Sequence, residues 1–289
     1  MSVLKDFLRD DEAHFDLGNQ LLEQGYWNKA ISEYKKTLQI NPQHADAHCN
    51  LGIALGKLEK WEEARIEYLA ALAITADDPI VHNNLGLALQ MLGKTDEARE
   101  HYLKALRLNP KYAKANYNLG NTYLESQPDL ATDFYQKSIA IDGDFADAYL
   151  NLGVTFSKRD DHKTAINLYR QAIFLSPNSV KAHYNLGHSL SVEGYVDAAI
   201  AELKEAIRLD SSHTEAHYIL GLTLYEKGQF RTAIAELQVT LSTDPGHAGA
   251  REALTLCLLR SKLPLLNFTA RRRRIPSARR VTACAGSTR

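Results

Sequence analysis

Histidines are the side chains in this sequence whose number and spacing most suggest metal chemistry, since eleven are present. His44 with His48, and His213 with His217, lie four residues apart, a spacing that places two imidazoles on one helix face. A zinc site needs about four ligands that converge on one ion. Five of the histidines instead recur at one position of a 34-residue repeat, so packing is favoured, and we predict no metal and no cofactor. The recurring residues are His14, His48, His82, His183 and His217.

Two short motifs resemble those of nucleotide-dependent enzymes. Residues 88–95 read ALQMLGKT, the loose form of a phosphate-binding loop, and residues 11–14 spell the helicase motif DEAH. A phosphate-binding loop follows a buried strand and opens a helix, so that backbone N–H groups point at the phosphates. Here residues 88–92 are predicted to end a helix, and DEAH precedes the loop instead of following it. We interpret both motifs as coincidental.

Cysteine and serine chemistry is not indicated either. Cys49, Cys257 and Cys284 are widely separated and odd in number, which predicts neither a disulfide framework nor a zinc site. No carboxylate pair, activated cysteine or serine triad stands out from the repeats. We therefore predict that the chain is not an enzyme.

A repeat of about 34 residues must position all of these side chains. Leu-Gly pairs recur at intervals of 34, 34, 34, 33, 34 and 34 residues. An alanine follows most of the glycines after twelve residues, a tyrosine or leucine follows four residues later, and four copies close with proline. The spacing predicts two amphipathic helices per copy. The glycine in the first helix is expected to allow the second helix to pack closely against it. The pairs begin at Leu17, Leu51, Leu85, Leu119, Leu152, Leu186 and Leu220.

This pattern resembles the tetratricopeptide-repeat family, and the resemblance implies an all-α, right-handed superhelix of stacked helix pairs. Residues 1–10 are predicted to be a lead-in, 11–247 the repeats, 248–263 a capping helix and 264–289 a basic tail. The capping helix is expected from the apolar stripe of Ala250, Ala253, Leu254, Cys257 and Leu258. The predicted repeats are residues 11–44, 45–78, 79–112, 113–145, 146–179, 180–213 and 214–247.

Composition and charge suggest a cytoplasmic protein with an unusual end. No stretch approaches the roughly 20 apolar residues of a membrane span, and the charged start lacks the apolar core of a secretory signal. Nine of the 34 Lys and Arg lie from Arg260 onward, where there is no Asp or Glu. Such a tail could bind nucleic acid, an anionic surface or the acidic repeats, or it could be idle or the product of a reading-frame change. Its densest charge is Arg271, Arg272, Arg273 and Arg274.

Asparagines directly before the Leu-Gly pairs form what we call the amide row. In the family this position faces the concave groove, and the row resembles that in the repeats of O-linked N-acetylglucosamine transferases, which hold an extended polypeptide. A side-chain amide offers a donor and an acceptor, which matches peptide backbone. The alternative is that these amides only satisfy neighbouring backbone or water. The amide row comprises Asn50, Asn84, Asn118, Asn151 and Asn185.

Further groove positions are expected to set specificity, and their mixed, partly aromatic character suits a peptide. Asn121, Asn151 and Lys181 fit three of the five positions with which chaperone-binding members hold a terminal carboxylate, but Tyr117 and Asn185 replace two cations, which disfavours that ligand. We predict a scaffold that binds an extended segment of a partner protein. The alternatives are the recognition arm of a glycosyltransferase-type enzyme, and binding through the basic tail. The specificity residues are Tyr117, Asn121, Lys181, Tyr184, His188 and Tyr218.

Overall fold

The computed structural model describes the backbone of residues 2–262 and the side chains of residues 10–261, and this part of the chain is built from α-helices without strands. The predicted all-α fold is confirmed. The basic tail, including Arg271–Arg274, lies outside the described residues. No helix in the described range is both long and apolar enough to cross a membrane. The helices are α1 Ser2–Glu23, α2 Trp27–Ile40, α3 Ala45–Lys57, α4 Trp61–Ile74, α5 Pro79–Met91, α6 Thr95–Leu108, α7 Ala113–Tyr123, α8 Pro128–Ile141, α9 Ala146–Lys158, α10 His162–Leu175, α11 Val180–Val192, α12 Val196–Leu209, α13 Thr214–Glu226, α14 Phe230–Thr243 and α15 Ala248–Lys262.

The helices alternate as the first and second members of a pair, and a left-handed residue ends the first helix in most pairs. Gly25, Gly93, Gly194 and Gly228 adopt positive φ at this turn, as glycine readily does. Repeats two and five lack that glycine, and there Glu59 and Asp160 adopt φ of 58° and 59° instead. The turn therefore depends on the stacked helices as well as on its own residue type.

The chain divides into two compact units, Met1–Asp142 and Gly143–Arg289. In the first unit, α1 to α8 pack around buried tyrosines and leucines such as Tyr102 and Leu85. In the second, α9 to α15 pack around the corresponding positions, with Leu203 replacing tyrosine.

The glycine of each Leu-Gly pair lies against the second helix of its own repeat. A Cβ atom added at Gly52 would lie 2.5 Å from a ring carbon of Tyr68, and one at Gly187 would lie 2.7 Å from Cγ of Leu203. The prediction that these glycines are contact points between paired helices is confirmed. This contact fixes how closely the first helices, five of which carry the amide row, approach their partner helices.

Candidate functional site

In the first unit, Asn50 is held by a side chain of the preceding repeat. Its Nδ2 donates to Oδ1 of Asn19 at 2.8 Å, and the Tyr34 hydroxyl donates to the same oxygen at 2.9 Å. Asn50 is half-buried, and this bond uses only part of the hydrogen-bonding capacity of its amide. The side chain is thus fixed in position while it stays accessible.

Asn84 and Asn118 are linked through Asn83, which sequence reasoning did not single out. Nδ2 of Asn118 donates to Oδ1 of Asn83 at 2.9 Å, and Nδ2 of Asn83 donates to Oδ1 of Asn84 at 3.2 Å. Asn84 is half-buried, but Asn118 is only 6% exposed. The expectation that Asn118 presents its amide to a ligand is corrected accordingly, because the amide is enclosed and bonded to the neighbouring repeat.

Tyr117 and Asn121 are half-buried beside the tyrosine of the second helix in their repeat. The Tyr135 hydroxyl donates to Oδ1 of Asn121 at 2.8 Å, and the rings of Tyr117 and Tyr135 lie 6.0 Å apart. Asn121 therefore joins the two helices of this repeat as well as lining its first-helix face.

In the second unit, Asn151 and Asn185 are both half-buried, and Lys181 is exposed one helical turn before Asn185 on α11. The Asn185 amide makes no side-chain hydrogen bond within residues 10–261. Its donors and acceptor are therefore available on the surface of α11.

Tyr184, His188 and Tyr218 are buried, with 8%, 4% and 5% of each residue exposed, so the expectation that they line an open groove is corrected. Tyr184 packs against His213 at a ring distance of 4.8 Å, and Tyr218 packs against His247 at 4.3 Å. Both histidines precede a first helix and accept from a backbone N–H there through Nδ1. Sequence reasoning missed His247, although its place just before α15, matching that of His213 before α13, was a usable signal.

The recurring histidines hold the helices of a repeat together. His48 Nδ1 lies 2.7 Å from Oε2 of Glu67 on the second helix, and its Nε2 lies 3.2 Å from the Pro42 carbonyl. Both partners are acceptors, so each ring nitrogen of His48 lies within hydrogen-bond distance of one acceptor on its own repeat or the turn before it. The packing interpretation of these histidines is confirmed, and no group of three or more metal-ligating side chains occurs in the described part of the chain. Equivalent His–Glu pairs are His14 with Glu33, His183 with Glu202 and His217 with Glu236.

Other candidate reactive groups have structural roles. Burial raises the pKa of the Cys49 thiol to about 12 and that of Cys257 to about 11, so neither is a ready nucleophile. Gly93 lies in the turn after α5, and Lys94 is the residue before α6, with no strand ahead of them in the described chain. Residues 88–95 therefore lack the setting of a phosphate-binding loop.

We expect replacement of Tyr135 by phenylalanine to cost about 1 kcal/mol, because the bond to Asn121 is lost. The matched Tyr169→Phe change should cost less than about 0.5 kcal/mol, since the buried Tyr169 hydroxyl makes no hydrogen bond within the described residues. In the repeat of Tyr169, Val154 occupies the position that corresponds to Asn121 and offers no hydrogen-bonding side chain. Urea unfolding of the full chain would measure the loss of unfolding free energy in both variants. Equal losses would contradict the role assigned to the hydrogen bond between Tyr135 and Asn121.

The repeats match known family models. The model described as TPR repeat covers residues 18–59, 57–93, 91–127, 155–191 and 193–228, and the model described as tetratricopeptide repeat covers residues 134–167. No curated protein matches the chain.

Several solved structures share the fold. A chain of the APC/C hetero-tetramer Cut9-Hcn1 is similar with a TM-score of 0.72 and 23% identity over 83% of this chain; the match covers 48% of that chain, so the present chain spans about half its length. YrrB, described as a TPR protein with an unusual peptide-binding site, has a TM-score of 0.55 and 26% identity over 68% of this chain and 98% of its own. For pilF of Pseudomonas aeruginosa the TM-score is 0.63 and the identity 23%, over 71% of this chain and 94% of its own.

These neighbours and the repeat models agree on the same helix-pair architecture. Because the TPR-repeat model alone matches more than half of the residues, the chain belongs to the tetratricopeptide-repeat family.

Proposed function

We propose that the chain is a non-enzymatic scaffold whose first helices bind an extended segment of a partner protein. Proteins of this family are generally interaction scaffolds, which supports the general role. The observation that carries the specific proposal is the Asn185 amide, accessible and without a side-chain hydrogen bond in the described residues. An amide in that state can pair with the N–H and C=O of a peptide backbone.

Asn50 and Asn84 supply comparable groups in the first unit. Each is half-buried and bonded to a neighbouring amide, so each is already oriented before a ligand arrives. Preorganisation lowers the entropy lost on binding. Asn118 acts in this proposal as a support, because its bond to Asn83 links two adjacent repeats.

Side chains beside the amides would supply selectivity. Lys181 offers a charge on α11, and Tyr117 offers a half-buried ring on α7. One cation beside neutral amides favours a mixed peptide over a polyanion. Two likenesses support a peptide ligand: the similarity to YrrB, which has a peptide-binding site, and the resemblance of the amide row to that of the O-linked N-acetylglucosamine transferases.

The proposal is tested by screening the full chain against an array of extended peptides and then measuring affinity for the best ligand. We expect Asn185→Ala to weaken binding about fivefold, the value of one hydrogen bond of about 1 kcal/mol. Asn167→Ala is the matched control, because Asn167 is exposed on the second helix α10. It should leave affinity unchanged.

Methylating successive backbone nitrogens of the bound peptide distinguishes backbone recognition from side-chain recognition. We expect individual N-methyl groups to weaken binding, since each removes a backbone N–H that would donate a hydrogen bond to a side-chain amide oxygen. If Asn50→Ala, Asn84→Ala and Asn185→Ala all bind the peptide as tightly as the unaltered chain, the amides do not hold it and the proposal fails.

A further inference from the structure

The third repeat departs from the His–Glu pairing of the first, second, sixth and seventh repeats. His101 occupies the position of the glutamate, and its Nδ1 lies 2.9 Å from Nδ1 of His82. The two rings are stacked with centroids 5.2 Å apart, and Nε2 of His82 lies 3.1 Å from the Ala76 carbonyl. A histidine thus replaces an acceptor-only carboxylate at the junction of α5 and α6.

This geometry limits how many protons the pair can hold. A carbonyl can only accept, so Nε2 of His82 carries hydrogen. With both rings neutral, Nδ1 of His82 then accepts from His101. A single added proton can be held on His82 if His101 changes tautomer and accepts at Nδ1. A second proton would leave two N–H groups facing each other across 2.9 Å, with like charges on both rings.

The surroundings also disfavour charge on the pair. Burial is the main reason that the pKa of each ring is lowered, and His82 adds to the effect on His101. Lys104, which contacts Asp77 at 2.7 Å, lowers the pKa of His82 further. The bond from His82 to the Ala76 carbonyl, and the nearby carboxylates of Asp77, Asp78, Glu97 and Glu100, raise these pKa values without reversing the direction.

The direction of the pH effect follows from proton linkage. Since both folded-state pKa values lie below the ordinary histidine value of about 6.5, the unfolded segment binds more protons than the folded one once the pH falls through about 6.5. The pair's contribution to stability is therefore complete above that pH and declines below it. In the His–Glu repeats, a carboxylate that can only accept faces the imidazole, so two N–H groups cannot meet there.

We propose that His82 and His101 form a pH-sensitive switch that loosens α5 from α6 in the third repeat on mild acidification. In the repeats that carry a His–Glu pair, that pair continues to join the first helix to the second. Because α5 also carries Asn83 and Asn84, loosening would disturb the amides of the first unit. The switch itself does not depend on peptide binding.

Hydrogen exchange of the full chain at pH 7.5 and 5.5, corrected for intrinsic rates, tests the switch. We expect α5 and α6 to open about tenfold more often at the lower pH, because opening returns a ring to the ordinary histidine pKa of about 6.5, which lies above pH 5.5, while α11 and α12 change little. His101→Glu, which restores the pairing of the other repeats, should remove the difference. Glu202→His should transfer acid sensitivity to α11 and α12, because it builds the same pair against His183.

A second measurement keeps the test decisive if a variant folds poorly. NMR titration of the unaltered chain should show that His82 and His101 do not both become protonated at pH 5.5 while α5 and α6 remain protected. Independent protonation of both rings with full protection would overturn the proposal. So would acid opening of α5 and α6 that persists unchanged in a folded His101→Glu chain.

Discussion

Replacing Gly52 with alanine is expected to destabilise the second repeat by about 2 kcal/mol, although alanine is the better helix former. The new Cβ would lie 2.5 Å from a ring carbon of Tyr68, which is itself only 4% exposed. Overpacking of this kind costs about 1–3 kcal/mol or more, and the helix propensity of alanine returns about 1 kcal/mol at most. Because the ring has little room to move, we expect the clash to dominate.

Urea unfolding of the full chain, together with hydrogen exchange of α3 and α4, would measure this loss. Gly143→Ala is the matched control, since nothing lies within 4 Å of a Cβ there and its φ is not positive. It should be neutral or slightly stabilising. Combining Gly52→Ala with Tyr68→Ala should cost less than the sum of the single changes, as expected for residues in contact. A fully additive result would mean that the two residues do not clash.

The fold was predictable because its determinants lie within one repeat. Spacing of the Leu-Gly pair, the following alanine and the tyrosine places apolar faces on two helices, and the same contact recurs in each copy. Even Glu59 and Asp160 at left-handed turns do not disturb this outcome, since packing outweighs their local preference.

The candidate site was predictable only in part, because the side-chain packing around each amide, which the repeat position does not specify, decides how far that amide is exposed. Asn118 has the same position as Asn50, and each donates to an asparagine of the preceding repeat, which for Asn118 is Asn83. Yet Asn118 is enclosed while Asn50 is half-buried. Nothing in the spacing of the amide row indicates this difference. The His–Glu pairing did leave a signal, since Glu67 follows His48 by nineteen residues, a separation repeated in the other three pairs.

The DEAH motif shows how a sequence that suggests catalysis can be explained by packing. Asp11 is only 3% exposed; its Oδ2 accepts from Nδ2 of Asn41 at 3.1 Å, and its carbonyl accepts from Oγ1 of Thr37 at 3.2 Å. His14 pairs with Glu33 at 2.6 Å. These side chains therefore tie α1 to α2 and are not arranged around a nucleotide.

We expect Asp11→Ala to cost about 2 kcal/mol, because it removes a charge-assisted hydrogen bond and leaves the Asn41 amide without this acceptor. Asp11→Asn should cost less, since an amide oxygen can still accept. The neighbouring Asp10 is exposed, so Asp10→Ala provides the control and should change stability by less than about 0.5 kcal/mol. Thermal unfolding and hydrogen exchange of α1 and α2 would measure the difference. Equal losses of stability at the two positions would show that the Asp11 carboxylate acts only through the net charge of this region. A loss confined to Asp11 would show that its hydrogen bond stabilises the junction of α1 and α2.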